Sequence, residues 1–136
     1  MVAWRAMASR RKSILLLEDS ELIRAAATAR LEAEGYSVTG VESITQLEQT
    51  TDPRMFDLIL LDVEVAELFG DDVGMVLRRV RGVSVPIWLY SSRPVDELAD
   101  RVREAGVDGF ISKTDGLDVL VERVAQILSD KKESSS

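Results

Sequence analysis

Five short segments of strand character recur along the chain, the first, third and fourth of them nearly unbroken apolar, and each is followed by a stretch with apolar residues at helical spacing. The segments are Ile14–Leu17, Tyr36–Val41, Phe56–Leu61 (broken only by Asp57), Pro86–Tyr90 and Asp108–Ser112. Between and after them, helices are predicted over Glu21–Glu34, from Ser43 to about Gln49, and over Val73–Arg81, Pro94–Glu104 and Asp115–Leu128. Local chemistry agrees. Ser20 offers an N-cap, Ser43 with Gln46 has capping-box spacing, and Gly35 and Gly106 suit helix ends. Strands this uniformly apolar are buried on both faces, which is the mark of a parallel sheet covered by helices on each side. The alternation therefore implies an α/β fold, (βα)5, with a doubly wound, five-stranded parallel sheet.

A chain of 136 residues without internal repeats makes one such domain. Its missing residue types narrow the chemistry. With no Cys and no His, there is no disulfide framework, thiolate zinc site or Ser-His-Asp triad, and no histidine of its own to carry a phosphoryl group. The charge is uneven. Residues 1–13 hold Arg5, Arg10, Arg11 and Lys12 and no acid, whereas the rest holds 24 acids against 13 basic residues. An acidic body argues against direct nucleic-acid binding. No apolar run is long enough for a signal core or a membrane span, so the chain reads as soluble and cytoplasmic. Residues 1–12 read as a flexible basic extension, 13–130 as the domain and 131–136 as a flexible tail.

In an open parallel sheet, ligands bind outside the carboxyl ends of the strands. The first strand ends in Glu18-Asp19, the third in Asp62, the fourth in Ser91-Ser92 and the fifth in Lys113. Singly, these read as helix caps, turn hydroxyls and a solvated lysine. Jointly, they place three carboxylates, a hydroxyl and an ammonium on one edge. Two unit charges about 4 Å apart repel by roughly 4 kcal/mol at an effective dielectric near 20. A hard divalent cation such as Mg²⁺ relieves that repulsion through carboxylate oxygens. A carboxylate nucleophile beside a cation, a hydroxyl and an ammonium suits phosphoryl transfer to an aspartate.

ILLLEDSE at 14–21, LILLD at 58–62, PIWLYSS at 86–92 and GFISK at 109–113 resemble, in order and spacing, the receiver domain of two-component response regulators. The resemblance covers about residues 13–130. It implies a flavodoxin-like sheet of order 2-1-3-4-5, with Asp62 as phosphoacceptor and Ser91 and Lys113 acting on the phosphoryl group. It also implies Mg²⁺ (or Mn²⁺) held by Glu18, Asp19, Asp62 and the backbone carbonyl of Glu64. Ser91 and Phe110 match the switch pair. Glu64 and Arg93 should flank the site and tune the phosphoryl lifetime by pairing across its mouth.

The implied role is signalling, not enzymatic turnover of an outside substrate. A histidine kinase or histidine phosphotransferase would supply the phosphoryl group, and a surface of the fourth helix, fifth strand and fifth helix would switch toward a downstream protein. On the last helix, Val119, Glu122, Arg123 and Gln126 lie off the core stripe. No membrane insertion is expected, and the oligomeric state would be a monomer or a phosphorylation-dependent dimer. The alternative is a phosphorylation-independent interaction module on the same fold. A dehalogenase-type phosphohydrolase needs Asp-x-Asp, and Asp62-Val63-Glu64 misses the second acid. The sequence departs from the family at Thr114, where Pro is usual, and at Ala66. The loop after Lys113 is accordingly expected to be rebuilt or strained.

Overall fold

The structure is a computed structural model and describes residues 11–63 and 70–134. Five parallel strands stand in the order β2-β1-β3-β4-β5: β1 Ser13–Leu17, β2 Ser37–Val41, β3 Leu58–Asp62, β4 Ile87–Ser91 and β5 Gly109–Ser112. The helices are α1 Glu21–Ala33, α2 Ile44–Thr50, α3 Gly70–Met75, α4 Val95–Ala105 and α5 Leu117–Ser134. The doubly wound reading is thus borne out, strand order included.

Alternation of side chains along the strands divides the core in two. Leu15, Leu17, Ile59, Leu61, Ile87 and Leu89 face α2, α3 and α4. Ile14, Leu16, Leu58, Leu60, Tyr90 and Ile111 face α1 and α5. Every residue of β3 is buried, because both faces are covered. Asp57, the polar break in the third apolar run, lies just before β3 and accepts the Ser13 amide at 2.8 Å, tying the start of β1 to it.

The caps act as read, with one variation. Ser20 Oγ accepts from the Ile23 amide and Ser43 Oγ from the Gln46 amide. Gln46 reaches back to the amide of Glu42 instead of that of Ser43. Gly35 and Gly106 adopt positive φ at the ends of α1 and α4.

Three elements differ from the sequence expectation. The third helix starts at Gly70, and Val76–Val80 continues it as a π turn, with the Arg81 amide donating to the Val76 carbonyl at 3.0 Å. That wider turn delivers Arg78 to the Val83 and Val85 carbonyls and to Asp108, which also accepts the Ile87 amide. β3 begins two residues late, because Pro53–Met55 forms a 3-10 turn capped by Asp52. The last helix runs through Ser134, beyond the expected end at Leu128.

Candidate functional site

The edge formed by the carboxyl ends of the strands gathers the residues singled out above. β1 and β3 are neighbours, and the chain continues from them in opposite directions across the sheet, to β2 and to β4. A crevice opens at that switch point. Glu18 and Asp19 follow β1, and Asp62 is the last residue of β3. One carboxylate oxygen from each of Glu18, Asp19 and Asp62 lies within 4.8 Å of the others. Ser91 ends β4, and Lys113 follows β5. These residues and Thr114 line a cavity of about 410 Å³.

Burial differs sharply among the acids. Glu18 is 1% exposed and Asp62 5%, while Asp19 stands exposed at the rim. Lys113 Nζ lies 2.5 Å from Glu18 Oε1 and 3.4 Å from Asp62 Oδ1. Glu18 Oε2 accepts the Ser20 amide at 3.1 Å. Burial pushes the Glu18 carboxyl above its ordinary value; Lys113 pulls it down, and the neighbouring Asp62 adds to the rise. Glu18 Oε1 has the ammonium close by but no hydrogen bond of good geometry. A buried oxygen in that state, beside two further carboxylates, fits a hard divalent cation such as Mg²⁺.

Two residues that hold this edge were not singled out from sequence. Arg24 donates to the Glu18 carbonyl at 2.8 Å, and its stem lies against Gly40, where a Cβ would come within 3.1 Å. Only its placement six residues after Glu18, on the first helix, could have marked it. Tyr90 is buried beneath Lys113, with Nζ 5.3 Å from its ring centroid. Burial, and secondarily the charge of Glu18, pushes its phenol to about 12. Within an apolar run, Tyr90 reads as strand filling.

Ser91 Oγ accepts the Arg93 amide at 3.1 Å. Phe110 is half-buried against the cluster that faces α4, on the opposite side of the sheet from Tyr90. After β5, Lys113–Asp115 forms a 3-10 turn in which Ser112 Oγ accepts the Thr114 amide and lies 2.7 Å from Thr114 Oγ1. The expected Glu64–Arg93 contact involves a residue outside the described ones, as does Ala66. The Arg93 guanidinium donates to Glu97 at 3.1 Å. Val119 and Arg123 border a groove of about 480 Å³ with Phe110, and Glu122 and Gln126 are exposed. No helix among the described residues is long and apolar enough to cross a membrane.

Known proteins resemble this chain in sequence and fold. A gliding motility regulatory protein of Myxococcus xanthus is 30% identical over 129 residues, covering 90% of this chain and 16% of that protein. A probable transcriptional regulatory protein of Picosynechococcus is 32% identical over 88% of this chain and 50% of its own length. The chain thus spans half or less of these two relatives. The polar-differentiation response regulator DivK of Brucella ovis is 25% identical, with 88% of this chain and 98% of DivK covered. Among solved structures, the CheY-like receiver domain protein of Methanospirillum hungatei superposes with a TM-score of 0.79 at 21% identity, over 91% of this chain and 98% of that one. The sequence also matches the response regulator receiver domain over residues 14–125, which takes in all five strands but for the first residue of β1. With the strand order and the clustered strand-end acids, that match shows that the chain belongs to the response regulator receiver domain family.

Proposed function

We propose that the chain accepts a phosphoryl group on Asp62 from a phosphohistidine donor and thereby switches a protein-binding surface. The carrying observation is the meeting of the Glu18, Asp19 and Asp62 oxygens within 4.8 Å of one another, with the Lys113 ammonium 3.4 Å from Asp62. Asp62 is the acid suited to attack. Glu18 is held by the Ser20 amide and Lys113, and Asp19 stands at the rim. An Asp62 oxygen attacks phosphorus, a P–O bond forms, and the P–N bond to the donor histidine breaks with its electron pair returning to the imidazole. Lys113 and the Ser91 hydroxyl stabilise the oxygens of the transferring group. Glu18, Asp19 and Asp62 are the described residues that would hold Mg²⁺, and the cation would offset charge on the phosphoryl oxygens. In this reading the donor is a histidine kinase or phosphotransferase. The chain's chemistry is confined to its own phosphorylation and dephosphorylation.

The phosphoryl group adds about −1.5 to −2 charge at neutral pH. Ser91 gives up the Arg93 amide to bond a phosphoryl oxygen, Phe110 moves into the vacated space, and the face formed by α4, β5 and α5 changes. Arg93, two residues from Ser91, governs the access of water to the phosphoryl group.

The test is incubation with acetyl phosphate or phosphoramidate and Mg²⁺, read by intact mass, with Asp62→Asn as control. One Mg²⁺-dependent phosphoryl group, absent from the Asn variant, is expected. No phosphoryl group on the wild-type chain overturns the reading in favour of a phosphorylation-independent interaction module.

A further inference from the structure

We propose that Tyr90 is a positioning residue whose ring face holds the Lys113 ammonium against the acid cluster; the inference rests on the role of Lys113 given above. Tyr90 precedes Ser91 on β4, pairs with Asp62 of β3 on one side and Ile111 of β5 on the other, and faces the α1–α5 side of the sheet. Its residue is 3% exposed. The Lys113 ammonium therefore has three neighbours: Glu18 Oε1 at 2.5 Å, Asp62 Oδ1 at 3.4 Å and the Tyr90 ring centroid at 5.3 Å.

The two carboxylates draw the ammonium toward the acid cluster. Lys113 also borders a cavity of about 220 Å³, lined with it by Ile23, Ala26, Tyr90, Gly116 and Leu117, which gives the four-carbon arm room to swing away. The Tyr90 face closes that exit. Its negative quadrupole attracts a cation within about 6 Å of the ring centre, and more strongly where water is excluded. An aliphatic residue here would keep apolar contact with the core but exert no such pull. A phenyl ring would, so the phenol oxygen is not what the lysine requires.

Two variants separate position from packing. Tyr90→Phe keeps the ring, and Tyr90→Leu keeps apolar bulk alone. In ¹H–¹³C spectra of the metal-free protein, the Lys113 ε-methylene, assigned with Lys113→Arg, should be shifted upfield by the ring current. The shift should persist in Tyr90→Phe and vanish in Tyr90→Leu. The rate of phosphorylation by phosphoramidate should fall about tenfold in Tyr90→Leu, equivalent to about 1.4 kcal/mol, and recover most of the way in Tyr90→Phe. A wild-type ε-methylene at the ordinary lysine position overturns the proposal. So does a Tyr90→Leu protein with the wild-type rate, or a Tyr90→Phe protein as slow as Tyr90→Leu. The spectra need no phosphoryl transfer. A wild-type chain that takes no phosphoryl group overturns the proposed function, while the ring-current comparison still decides the place of Tyr90.

Discussion

Lys113 Nζ and Glu18 Oε1 lie 2.5 Å apart, although one residue follows the last strand and the other the first. Two strands, β3 and β4, stand between β1 and β5 in the sheet, so only a long side chain at the end of β5 spans that distance. The Glu18 side chain is 1% exposed and that of Lys113 14%. In the metal-free protein this ammonium is the nearest positive charge to the cluster among the described residues. It is the counterion that makes two buried carboxylates tolerable.

Lys113→Met should accordingly destabilise the metal-free protein at neutral pH by about 2–3 kcal/mol, below or at the low end of what unpairing a buried charge costs, because Glu18 then takes up a proton. Mg²⁺ should restore part of the loss. Urea denaturation with EDTA and with Mg²⁺ measures both. Equal midpoints for variant and wild type in EDTA would contradict the pairing.

Glu18→Gln should shift stability in a pH-dependent way. The Glu18 carboxyl lies above its ordinary value in the folded chain, so the folded state holds the proton more tightly than the unfolded state. Its contribution is fully present below the unfolded value of 4.5 and is lost as pH rises through the folded value. The stability of Glu18→Gln relative to wild type should therefore climb as pH rises from 4.5 toward neutrality in EDTA. Mg²⁺ should reverse the ranking by stabilising the wild type more. Denaturation midpoints across that range, with and without Mg²⁺, test the sign.

The five strands and the strand-end acids were legible because both depend on patterns local to each segment, whereas the order of the strands, a tertiary property, came from the family resemblance alone. The apolar runs announce buried strands, and residues just past them must reach the carboxyl edge whatever the helices do. Tyr90 and Arg24 were not legible for the converse reason. Tyr90 acts on a lysine just past the end of the neighbouring strand by a contact that only tertiary packing creates, and its sequence context is ordinary strand. Arg24 sits on a regular helix and gains its place from Gly40 of β2, whose missing side chain makes room for the arginine stem. The π turn at Val76–Val80 also escaped, because helical periodicity does not distinguish a widened turn from a regular one.

Gly109→Ala should destabilise the fold by about 1–3 kcal/mol, the usual cost of overpacking a tight contact. A Cβ on Gly109 would lie 2.5 Å from Trp88 Cζ3 and within 2.8 Å of two further ring atoms. The indole cannot retreat outward freely, since the Arg123 guanidinium lies 5.1 Å from its ring centre. In a Trp4→Phe background, Trp88 emission should change together with the urea midpoint. A Gly109→Ala protein with an unaltered midpoint and spectrum would show that the ring is not confined.

Thr114→Pro introduces the residue usual in the family and should still weaken this chain. Among the described residues all peptide bonds are trans, and the turn at Lys113–Asp115 is held by a side-chain device. Ser112 Oγ, 7% exposed as a residue, accepts the Thr114 amide at 3.3 Å and meets the Thr114 hydroxyl at 2.7 Å. Proline has neither the N–H nor the hydroxyl, so Ser112 is left without both partners. The expected loss is about 1–2 kcal/mol, that of a buried hydroxyl deprived of its bonds. Thr114→Ser keeps the amide and the hydroxyl and should stay near wild type. Ser112→Ala removes the shared oxygen, so adding Thr114→Pro to it should cost less than Thr114→Pro alone. Urea midpoints for the single and double variants complete the cycle. A Thr114→Pro protein more stable than wild type would show that the Ser112–Thr114 device does not hold the turn.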